Sequence, residues 1–571
     1  MSGTGPTSRE WLAVLAVGVV VAALALAPLA RRTADSTPAW RHTGLTGGDF
    51  TDTASHLSWT RQIRDGWLLA ENKFAGAERR GHRLYNLLFI ALGLGARAAG
   101  CSVVAAYHVQ LAVTAVLVPL AAFWLAATVF PDRRQRWVCL ALVLTSGGLH
   151  WLEIWHLAGM ERDIGMAQET NTFWMLQSEL VVGPASGLVV LAMTAVLRAL
   201  RHGSARRFIL VGLAGFLVIS VHPQEILTIG VTAGLAGLVL AWGHKRVPAP
   251  TGGRWRRLFY VLLALGVGAG PVGAYHVAVL LIDPSFRPYS GDVHHFMVLR
   301  AVWWDYGLIL LLAGVGAALI VARGERDRAL LVIWPAVVAA FLATPPAGHR
   351  VFVYHGLHVV LCALATRALV SAGGCLRRGW WARRPTFARA TAGGALALVL
   401  GAGALTNVAV YAHKMRPWRP ARYGFIPPDE WDAIAWLDDH ADPHDVILSL
   451  PRVGEGLPMW TGSRVHVGHM LCTPEAGRRA FEMDQLLGVH GALTPEAAAG
   501  LLRSTGGRYL YVGPPARDLG SREAEEMLLR AGLAERAFAN ATTAVYRIDR
   551  GAVDAFTPAT RPTAATTGRT P

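Results

Sequence analysis

The sequence has few charged residues and few cysteines. Only 16% of its 571 residues are Asp, Glu, Lys or Arg, whereas a soluble domain carries roughly 25%. The five cysteines form neither a CxxC pair nor a Cys/His cluster, so they support neither a disulfide framework nor a cysteine-based zinc site. Glycine-rich nucleotide fingerprints, a P-loop, an HExxH pair and a GxSxG elbow are also missing from the contexts that they require. The sequence therefore gives no support to nucleotide binding or to a hydrolase triad.

Apolar residues make up 53% of the chain, and its mean hydropathy is +0.36. Uncharged runs of about 20 residues predict membrane-spanning helices, and such runs recur up to residue 412. The first run, 11–30, is long enough to span a bilayer, and we interpret it as an uncleaved helix, with a cleaved signal peptide as the alternative. The ordered apolar blocks exclude disorder. We therefore predict a mainly α polytopic membrane protein.

The net charge of +16 is unevenly distributed, and its distribution predicts an orientation. From residue 131 onward, short basic segments alternate with segments that carry Asp, Glu, His, Pro and Trp. The basic segments are 133–136, 198–207, 244–257, 323–328 and 377–389, and the others are 152–171, 221–225, 283–300 and 345–350. Because positively charged loops stay in the cytoplasm, we predict that the second kind lies outside, together with the first loop. This orientation accounts for the basic excess without nucleic-acid binding.

The region 84–130 decides the predicted number of spans. If 31–83 and 152–171 both lie outside, this region crosses the membrane an odd number of times, yet it holds two apolar runs, 84–100 and 103–130. Either one run does not cross, which gives a total of about 11 spans, or the region holds three short spans, which gives about 13. Both alternatives place the N-terminus inside and the C-terminal segment outside.

The last part of the chain has a different character. Residues 414–550 contain no run long enough to span a membrane, and they alternate helix and strand signals. An amphipathic helix begins at Pro427-Pro428, and short apolar runs predict strands at 446–450, 464–467, 509–512 and 544–548. This alternation indicates a small α/β domain with a partly parallel sheet. We therefore predict three regions, which are a membrane module over 1–413, an extracytoplasmic α/β domain over 414–550 and a disordered tail over 551–571.

The first predicted outside loop, 31–83, carries the most informative side chains. Asp49 and Asp52 follow the first span, and an apolar and aromatic stretch that includes Leu57 and Trp59 comes after them. A partly desolvated carboxylate beside the membrane can act as a general base toward a hydroxyl acceptor. A carboxylate that only caps a helix is the simpler alternative.

Three further polar constellations fall in predicted outside segments. They are Asp163 and Glu169 in the second loop, the break His222-Pro223-Gln224-Glu225 between two apolar runs, and the pair His349-Arg350 before the run 350–370. Polar side chains at membrane depth are costly unless they face the protein interior or a water-filled cavity, and an Arg fork binds phosphate bidentately. Ordinary loop acids, a tight turn and an Arg that reaches lipid head groups are the respective alternatives. Because all three groups are predicted to lie on the outer side of the membrane, they indicate one extracytoplasmic site.

Two segments carry a resemblance to a known family. The pattern Asp-x-x-x-aromatic-Leu-Ser-aromatic-x-Arg-Gln-x-x-x-Gly is matched in the first loop by Asp52, His56, Leu57-Ser58-Trp59, Arg61-Gln62 and Gly66, with His56 where Tyr is usual. The segment Trp460 to His469 resembles Tyr-Thr-Gly-Arg-Arg-Val-x-Val-Gly-His. The sequence thus resembles the GT-C superfamily of multispanning glycosyltransferases, which use polyprenyl-phosphate-linked sugars. It departs from related proteins at Gly183-Pro184, where they have a Pro-His pair.

The resemblance implies an inverting sugar transfer with Asp52 as the catalytic base and Asp49 as its rival. It implies donor-phosphate binding by Arg350, His349 and His222. It also implies acceptor or metal positioning by Asp163, Glu169, Glu78, His56 and His469, with a purely structural role for the segment around His469 as the alternative. No motif indicates a cofactor, and a divalent cation stays open.

Two other classes of function stay open. A transporter or flippase of lipid-linked glycans would line its path with the polar breaks, but the sequence shows no mid-span charges and no inverted repeat. A non-catalytic cell-envelope scaffold would bind polymer through its outside domain. For the enzyme, the expected partners are a polyprenyl-phosphate sugar, a glycan, lipid or protein acceptor, and the lipids of the plasma membrane.

The charge pattern predicts on which side of the membrane the C-terminus lies. An epitope tag fused after Pro571 is expected to be labelled in intact cells by a membrane-impermeant antibody, because the positive loops hold the opposite side in the cytoplasm. A tag inserted in the basic segment 377–389 is the control, and it should be labelled only after permeabilisation. A C-terminal tag that also needs permeabilisation would overturn the orientation.

Overall fold

The structure is a computed structural model that describes residues 5–45, 50–78, 81–152, 171–177, 180–242, 252–283, 299–344, 355–376, 383–416, 424–491 and 493–556. The chain forms two compact units. Unit 1 comprises residues 1–37, 42–70 and 83–425, and unit 2 comprises residues 38–41, 71–82 and 426–571. Each unit is described by itself below.

Unit 1 is mainly helical in its described residues. Its helices are α1 (Ser8–Ala34), α2 (Phe50–Arg64), α3 (Leu87–Ala99), α4 (Val103–Val129), α5 (Arg133–Thr145), α6 (Thr172–Met175), α7 (Val182–Arg201), α8 (Ala205–Val221), α9 (Glu225–Ala241), α10 (Gly252–Ile282), α11 (Leu299–Tyr306), α12 (Leu308–Ala322), α13 (Ala329–Ala343), α14 (Leu357–Leu376) and α15 (Pro385–Met415). A 3₁₀ turn, Arg326–Arg328, connects α12 to α13. Aliphatic side chains of α4, α5, α7, α9 and α12 to α14 form the core of this unit.

Six of these helices are long and apolar enough to cross a membrane, namely α1, α4, α7, α10, α14 and α15. Three shorter helices in the described residues, α3, α9 and α12, are also apolar. Many of the apolar side chains on these helices point away from the core, such as Leu12, Val109, Val267 and Leu398. A soluble protein would bury such side chains, whereas a bilayer covers them. The prediction of a mainly helical polytopic membrane protein is confirmed.

Helices α1 and α4 run antiparallel. The rings of Trp11 and Phe123 meet edge to face with centroids 5.2 Å apart, and a Cβ added to Gly18 would lie 3.0 Å from the Cα of Val116. Since α1 and α4 contact along their length in opposite directions, the end of α1 and the beginning of α4 lie at the same end of unit 1. The chain through α2 and α3 therefore returns to the end from which it started. The structure thus favours the alternative in which one run of 84–130 does not cross.

The predicted basic segments that the structure describes meet at one end of unit 1, which we call the basic end. Arg201 Nη1 donates to the carbonyl oxygen of Thr128 at 2.7 Å, so the end of α7 lies beside the end of α4. Arg328 Nη2 donates to the carbonyl oxygen of Val129 at 3.3 Å, which places the α12–α13 turn there as well. The grouping agrees with the alternation in the sequence, and the side of the membrane on which it lies stays a prediction.

Unit 2 contains a mixed sheet flanked by helices. Its strands are β3 (Val446–Leu448), β4 (Arg464–Val465), β5 (Tyr509–Val512), β6 (Ala534–Ala539) and β7 (Ala544–Ile548), in the order β4-β3-β5-β7-β6. Its helices are α16 (Pro428–His440), α17 (Pro451–Gly454), α18 (Leu457–Thr461), α19 (Ala476–Leu486), α20 (Pro495–Thr505), α21 (Pro514–Asp518), α22 (Arg522–Arg530) and α23 (Arg550–Ala555). Two further short strands, β1 (Arg41–His42) and β2 (Phe425–Ile426), pair with each other.

The sheet of unit 2 confirms the predicted α/β class and adds one strand. Strand β3 pairs in parallel with β4 and β5, whereas β7 pairs antiparallel with β5 and β6. The pattern of the sequence did not predict β6. This strand lies at the edge of the sheet with Glu535 and Arg536 exposed, so it lacks the apolar run that marks the buried strands.

Unit 2 also takes in part of the first predicted loop. The amide of Val465 donates to the carbonyl oxygen of Lys73 at 2.9 Å, and the amide of Gly76 donates to the carbonyl oxygen of Val465 at 3.1 Å. Residues 71–82 thus add hydrogen bonds to β4. Unit 2 therefore contains this segment as well as residues of the predicted domain 414–550. At the start of the predicted tail, Asp549 Oδ1 accepts from the amide of Ala552 and caps α23.

A buried ion cluster fixes this added segment. Arg464 donates to both carboxylate oxygens of Glu71, at 2.7 and 3.2 Å, and Lys73 Nζ lies 2.7 Å from the same carboxylate. The side chains of all three residues are at most 4% exposed. Burial would raise the pKa of Glu71, but the hydrogen bonds and charges of Arg464 and Lys73 outweigh it and lower that pKa to about 2.

We predict that Glu71→Gln lowers the thermal unfolding temperature of the detergent-solubilised protein at pH 7. Removing one member of a buried ion cluster costs about 3 kcal/mol, because the remaining charges lose their partner. A carboxylate whose pKa falls on folding stabilises the fold above its ordinary pKa of about 4.5 and loses this effect as the pH falls toward about 2. The difference between wild type and Glu71→Gln should therefore shrink between pH 5 and pH 3.

The control for this prediction is Glu526→Gln. Glu526 forms an ion pair with Arg530 at 3.4 Å on the surface of α22, where both side chains are mostly exposed. An exposed pair of this kind contributes little to the free energy of unfolding. The variant should therefore have the wild-type unfolding temperature at pH 7, pH 5 and pH 3. Equal effects of the two substitutions, or an effect of Glu71→Gln that does not depend on pH, would contradict the prediction.

Candidate active site

The end of unit 1 opposite the basic end, which we call the polar end, is held together by buried polar side chains. Asn407 on α15 donates to the carbonyl oxygen of Thr145 at 2.9 Å and accepts from Asn171 Nδ2 at 2.9 Å. His358 on α14 lies 3.0 Å from the hydroxyl of Ser146 through its Nε2. These contacts join α5, α14 and α15 where the sequence predicts outside segments. Buried polar contacts therefore connect these helices at the polar end.

A buried acid and imidazole lie at this end beside α11. His150 Nε2 lies 2.6 Å from the carboxylate of Asp305, and both side chains are less than 10% exposed. The pair connects the segment after α5 to α11, which precedes α12. Sequence analysis singled out neither residue, because each is an isolated polar residue in a largely apolar context.

The break between α8 and α9 supplies the first two members of a second cluster. His222 precedes Pro223 and takes a non-helical conformation (φ −143°, ψ 87°) that ends α8, since a following proline disfavours the helical conformation. Helix α9 then begins at Glu225, whose carboxylate lies in the first helical turn, where the helix dipole favours negative charge. A Pro in an apolar stretch thus produces a turn that carries a His and a Glu into the protein interior.

The third member comes from the start of α14. His355 precedes Gly356, whose φ of +76° starts the tight turn into the helix. Its Nδ1 lies 2.5 Å from Glu225 Oε1, and His222 Nδ1 lies 3.8 Å from the same oxygen. The two imidazole rings have centroids 4.4 Å apart. All three residues are buried, and one nitrogen or oxygen atom from each lies within 4.8 Å of the others. We call this group the His–Glu–His cluster.

Helix α2 brings residues of the first loop toward this cluster. His56 lies close enough to His222 for their charges to interact, and its ring packs against Phe89 on α3 with centroids 5.3 Å apart. Asp52 lies one helical turn before His56 on the same face of α2, because residues four apart are neighbours on a helix. Asp52 is half-buried. A carboxylate and an imidazole of the predicted motif therefore share one face of α2, and the imidazole is near enough to His222 for a charge interaction.

Several of the predicted site residues lie outside the described residues. These are Asp49, Asp163, Glu169, His349 and Arg350. Within unit 1, the structure brings His56 and His222 together and adds Glu225 and His355, which sequence analysis did not place in the site. The polar break contained a signal for Glu225. His355 gave none, since it lies within an apolar run and becomes a neighbour of Glu225 only through folding.

The other two predicted site residues belong to unit 2. Glu78 lies 3.2 Å from Arg479 Nη2. His469 is buried, and its Nδ1 accepts from the amides of Leu471 and Cys472 at 3.1 and 3.2 Å, so the imidazole stabilises a turn. The glycine before it also has a structural reason, since a Cβ on Gly468 would lie 2.7 Å from a backbone oxygen. Within unit 2 these contacts favour the structural alternative for this segment.

No family model and no curated protein sequence matches this chain. Solved structures do. The archaeal oligosaccharyltransferase AglB from Archaeoglobus fulgidus, solved with an inhibitory peptide and a dolichol-phosphate, has a TM-score of 0.51 at 12% identity over 95% of this chain and 75% of its own. ArnT from Cupriavidus metallidurans bound to undecaprenyl phosphate has a TM-score of 0.51 at 15% identity over 96% and 99%.

A third similar structure is the mycobacterial arabinofuranosyltransferase AftD, with a TM-score of 0.55 at 17% identity. The match covers 95% of this chain and 40% of AftD. AglB, ArnT and AftD are GT-C glycosyltransferases, and this chain has the GT-C fold. The fold expected from the two sequence motifs is thereby confirmed.

Proposed function

We propose that this protein is a membrane glycosyltransferase that moves a sugar from a polyprenyl-phosphate-linked donor to a hydroxyl acceptor on the extracytoplasmic face, with inversion at the anomeric carbon. One observation carries the proposal. The α2 face with Asp52 and His56 approaches the His–Glu–His cluster inside a GT-C fold. Two proteins with similar folds were solved with lipid phosphates, AglB with dolichol-phosphate and ArnT with undecaprenyl phosphate, which supports a lipid-phosphate donor.

The acceptor side of the reaction needs a base. In this proposal Asp52, or Asp49 in its place, removes the proton from the acceptor hydroxyl as the oxygen attacks the anomeric carbon. Asp52 is half-buried, and partial burial in general makes a carboxylate a stronger base, since the charged form is desolvated. His56, one turn further along α2, orients the acceptor through its imidazole.

The donor side needs positive charge where the phosphate leaves. As the bond between the anomeric carbon and the phosphate oxygen breaks, negative charge develops on that oxygen, and groups aimed at it lower the barrier. In this proposal Arg350 supplies the positive charge, and His222 in the cluster, or His349, assists it as a hydrogen-bond donor. Arg350 and His349 come five and six residues before His355 in the sequence, and an Arg fork suits a phosphate. Asp163, Glu169 and Glu78 are left to acceptor or metal positioning, whereas the contacts of His469 favour its structural role.

A flippase and a scaffold, the two competing classes of function, would place different demands on the side chains of unit 1. A flippase needs a continuous polar path between the two ends of unit 1. The described helices between these ends pack mainly aliphatic side chains in the core, with the His–Glu–His cluster at the polar end and the buried ion pair of Arg136 and Glu10 at the basic end. A scaffold needs neither the cluster nor the carboxylate on α2. The buried arrangement of titratable side chains at one end of a GT-C fold therefore favours the transferase.

We predict that Asp52→Asn lowers the rate of sugar transfer by about 10²- to 10⁴-fold, because an amide cannot take the proton of the acceptor. The purified protein in proteoliposomes is given a panel of polyprenyl-phosphate sugars with candidate acceptors, and released polyprenyl phosphate is measured. Asp49→Asn is tested alongside, since the same loss in that variant, with Asp52→Asn active, would make Asp49 the base.

The matched control is Asp65→Asn. Asp65 follows the end of α2 in the same loop, is exposed and pairs with Arg61 at 3.2 Å, so its loss should leave turnover unchanged. Wild-type protein that neither binds nor consumes any donor of the panel would reject the transferase in favour of the scaffold. Transbilayer movement of the donor without release of its phosphate would favour the flippase.

A further inference from the structure

We propose that His222, Glu225 and His355 hold a divalent transition metal, with Zn²⁺ as the best match, and leave one coordination position open. The set of two imidazoles and one carboxylate is one that zinc enzymes use, with water or substrate as the fourth ligand. The sequence alone pointed to loop carboxylates as metal ligands, whereas this site is built at a helix break. The binding of a metal by these three residues does not rest on the proposed function. Only the identity of the ligand in the open position rests on it.

The spacing of the ligand atoms fits one ion. Zn–N and Zn–O distances near 2.0–2.2 Å place the ligand atoms of a tetrahedral site about 3.4 Å apart. Glu225 Oε1 lies 2.5 Å from His355 Nδ1 and 3.8 Å from His222 Nδ1. These two separations thus change by less than about 1 Å on metal binding. The ligand nitrogens of the two imidazoles lie within 4.8 Å of each other, so small side-chain rotations bring all three atoms around one ion.

The charge of the cluster also favours a cation. Glu225 is fully buried, and its Oε2 accepts no hydrogen bond within the described residues. An ionised carboxylate in such a place is costly unless a positive charge compensates it. Around it the described helix α9 places Thr228 and Thr232, which are buried hydroxyls without charge. A metal ion between the carboxylate and the two imidazoles supplies the missing charge.

The backbone around the ligands is firmly held. A Cβ at Gly356 would lie 3.0 Å from a methyl group of Val190 and 3.1 Å from the ring of Trp334, so the turn after His355 packs directly on α7 and α13. On the other side, Pro223 fixes the turn between His222 and Glu225. Metal sites need ligands that are held in position in this way.

The donor atoms select the kind of metal. Mg²⁺ and Ca²⁺ prefer all-oxygen sites, whereas imidazole nitrogen suits Zn²⁺, Co²⁺ and similar ions. The rival interpretation of the same contacts is a proton shared between His355 and Glu225, with no metal. The two interpretations differ in what the purified protein binds.

The test is a Co²⁺ titration of the chelator-treated, full-length protein in detergent, without any sugar donor. We expect one equivalent of Co²⁺ to bind with a visible absorption band, and Zn²⁺ to displace it. Glu225→Gln and His355→Gln keep the size of the side chains, and each should weaken Co²⁺ binding by at least about tenfold and change the band, because each removes a ligand.

The matched control is His358→Gln. His358 is buried in the first turn of α14, three residues after His355, and contacts Ser146 and Thr172 instead of the cluster. This variant should keep wild-type Co²⁺ affinity and spectrum. Thermal unfolding and gel filtration of each variant show that a lost band is not due to a lost fold, and His222→Gln provides a third ligand variant if one of the others does not fold.

Absence of Co²⁺ binding by the wild-type protein would overturn the proposal and leave the shared proton. A Co²⁺ band that survives in Glu225→Gln and His355→Gln would overturn it as well. These outcomes are separate from the sugar-transfer assay, since binding of Co²⁺ alone is measured. An inactive protein that binds Co²⁺ through the cluster would support the metal site and reject the transferase.

Discussion

A polar break inside a bundle of apolar helices has to be satisfied by the protein itself, because hydrocarbon offers no hydrogen bonds. In unit 1 the break between α8 and α9 carries the carboxylate of Glu225 into the interior. Its contact at 2.5 Å is His355, which lies 130 residues further along the chain. The start of α14 must therefore reach the α8–α9 turn. This one contact fixes which helices are neighbours at the polar end.

The two ends of unit 1 satisfy their polar groups in partly different ways. The basic end holds a buried ion pair of Arg136 with Glu10. Also at the basic end, Arg201 and Arg328 donate to carbonyl oxygens at the end of α4. Long basic side chains can do this at a surface because their charged groups remain near water. At the polar end, the contacts of Asn407, His358 and Glu225 are buried. Such a network is costly unless it is complete, and buried ionisable groups in membrane proteins generally serve a function.

The sequence was sufficient to predict the features that repeat along the chain. Apolar runs and alternating basic loops predicted the membrane unit, and alternating strand and helix signals predicted the sheet of unit 2. His222 was recognised because a polar break in an apolar run is a local signal. His355 was not, since it is a single polar residue in such a run and only its distant partner gives it meaning.

Contacts between distant segments explain the other differences. The chain 71–82 was assigned to a loop because nothing in its composition shows that Lys73 and Gly76 bond to Val465. Strand β6 was missed because an edge strand needs only one apolar face and alternates weakly. Even the choice between the two span counts required the antiparallel contact of α1 with α4. Register and pairing depend on residues far apart in sequence, which composition does not encode.

Similarity to GT-C structures at 12% to 17% identity constrains the path of the helices and leaves the chemistry to particular side chains. In the proposed reaction, charge decides how the His–Glu–His cluster would act on a phosphate. With both imidazoles neutral, the cluster carries the single negative charge of Glu225 and repels a phosphate. One protonated imidazole makes it neutral. A divalent ion makes it positive by one charge, and opposite charges attract strongly in a buried site. An anionic leaving group is therefore stabilised by this cluster only when it holds a metal ion or when Arg350 adds its charge beside it.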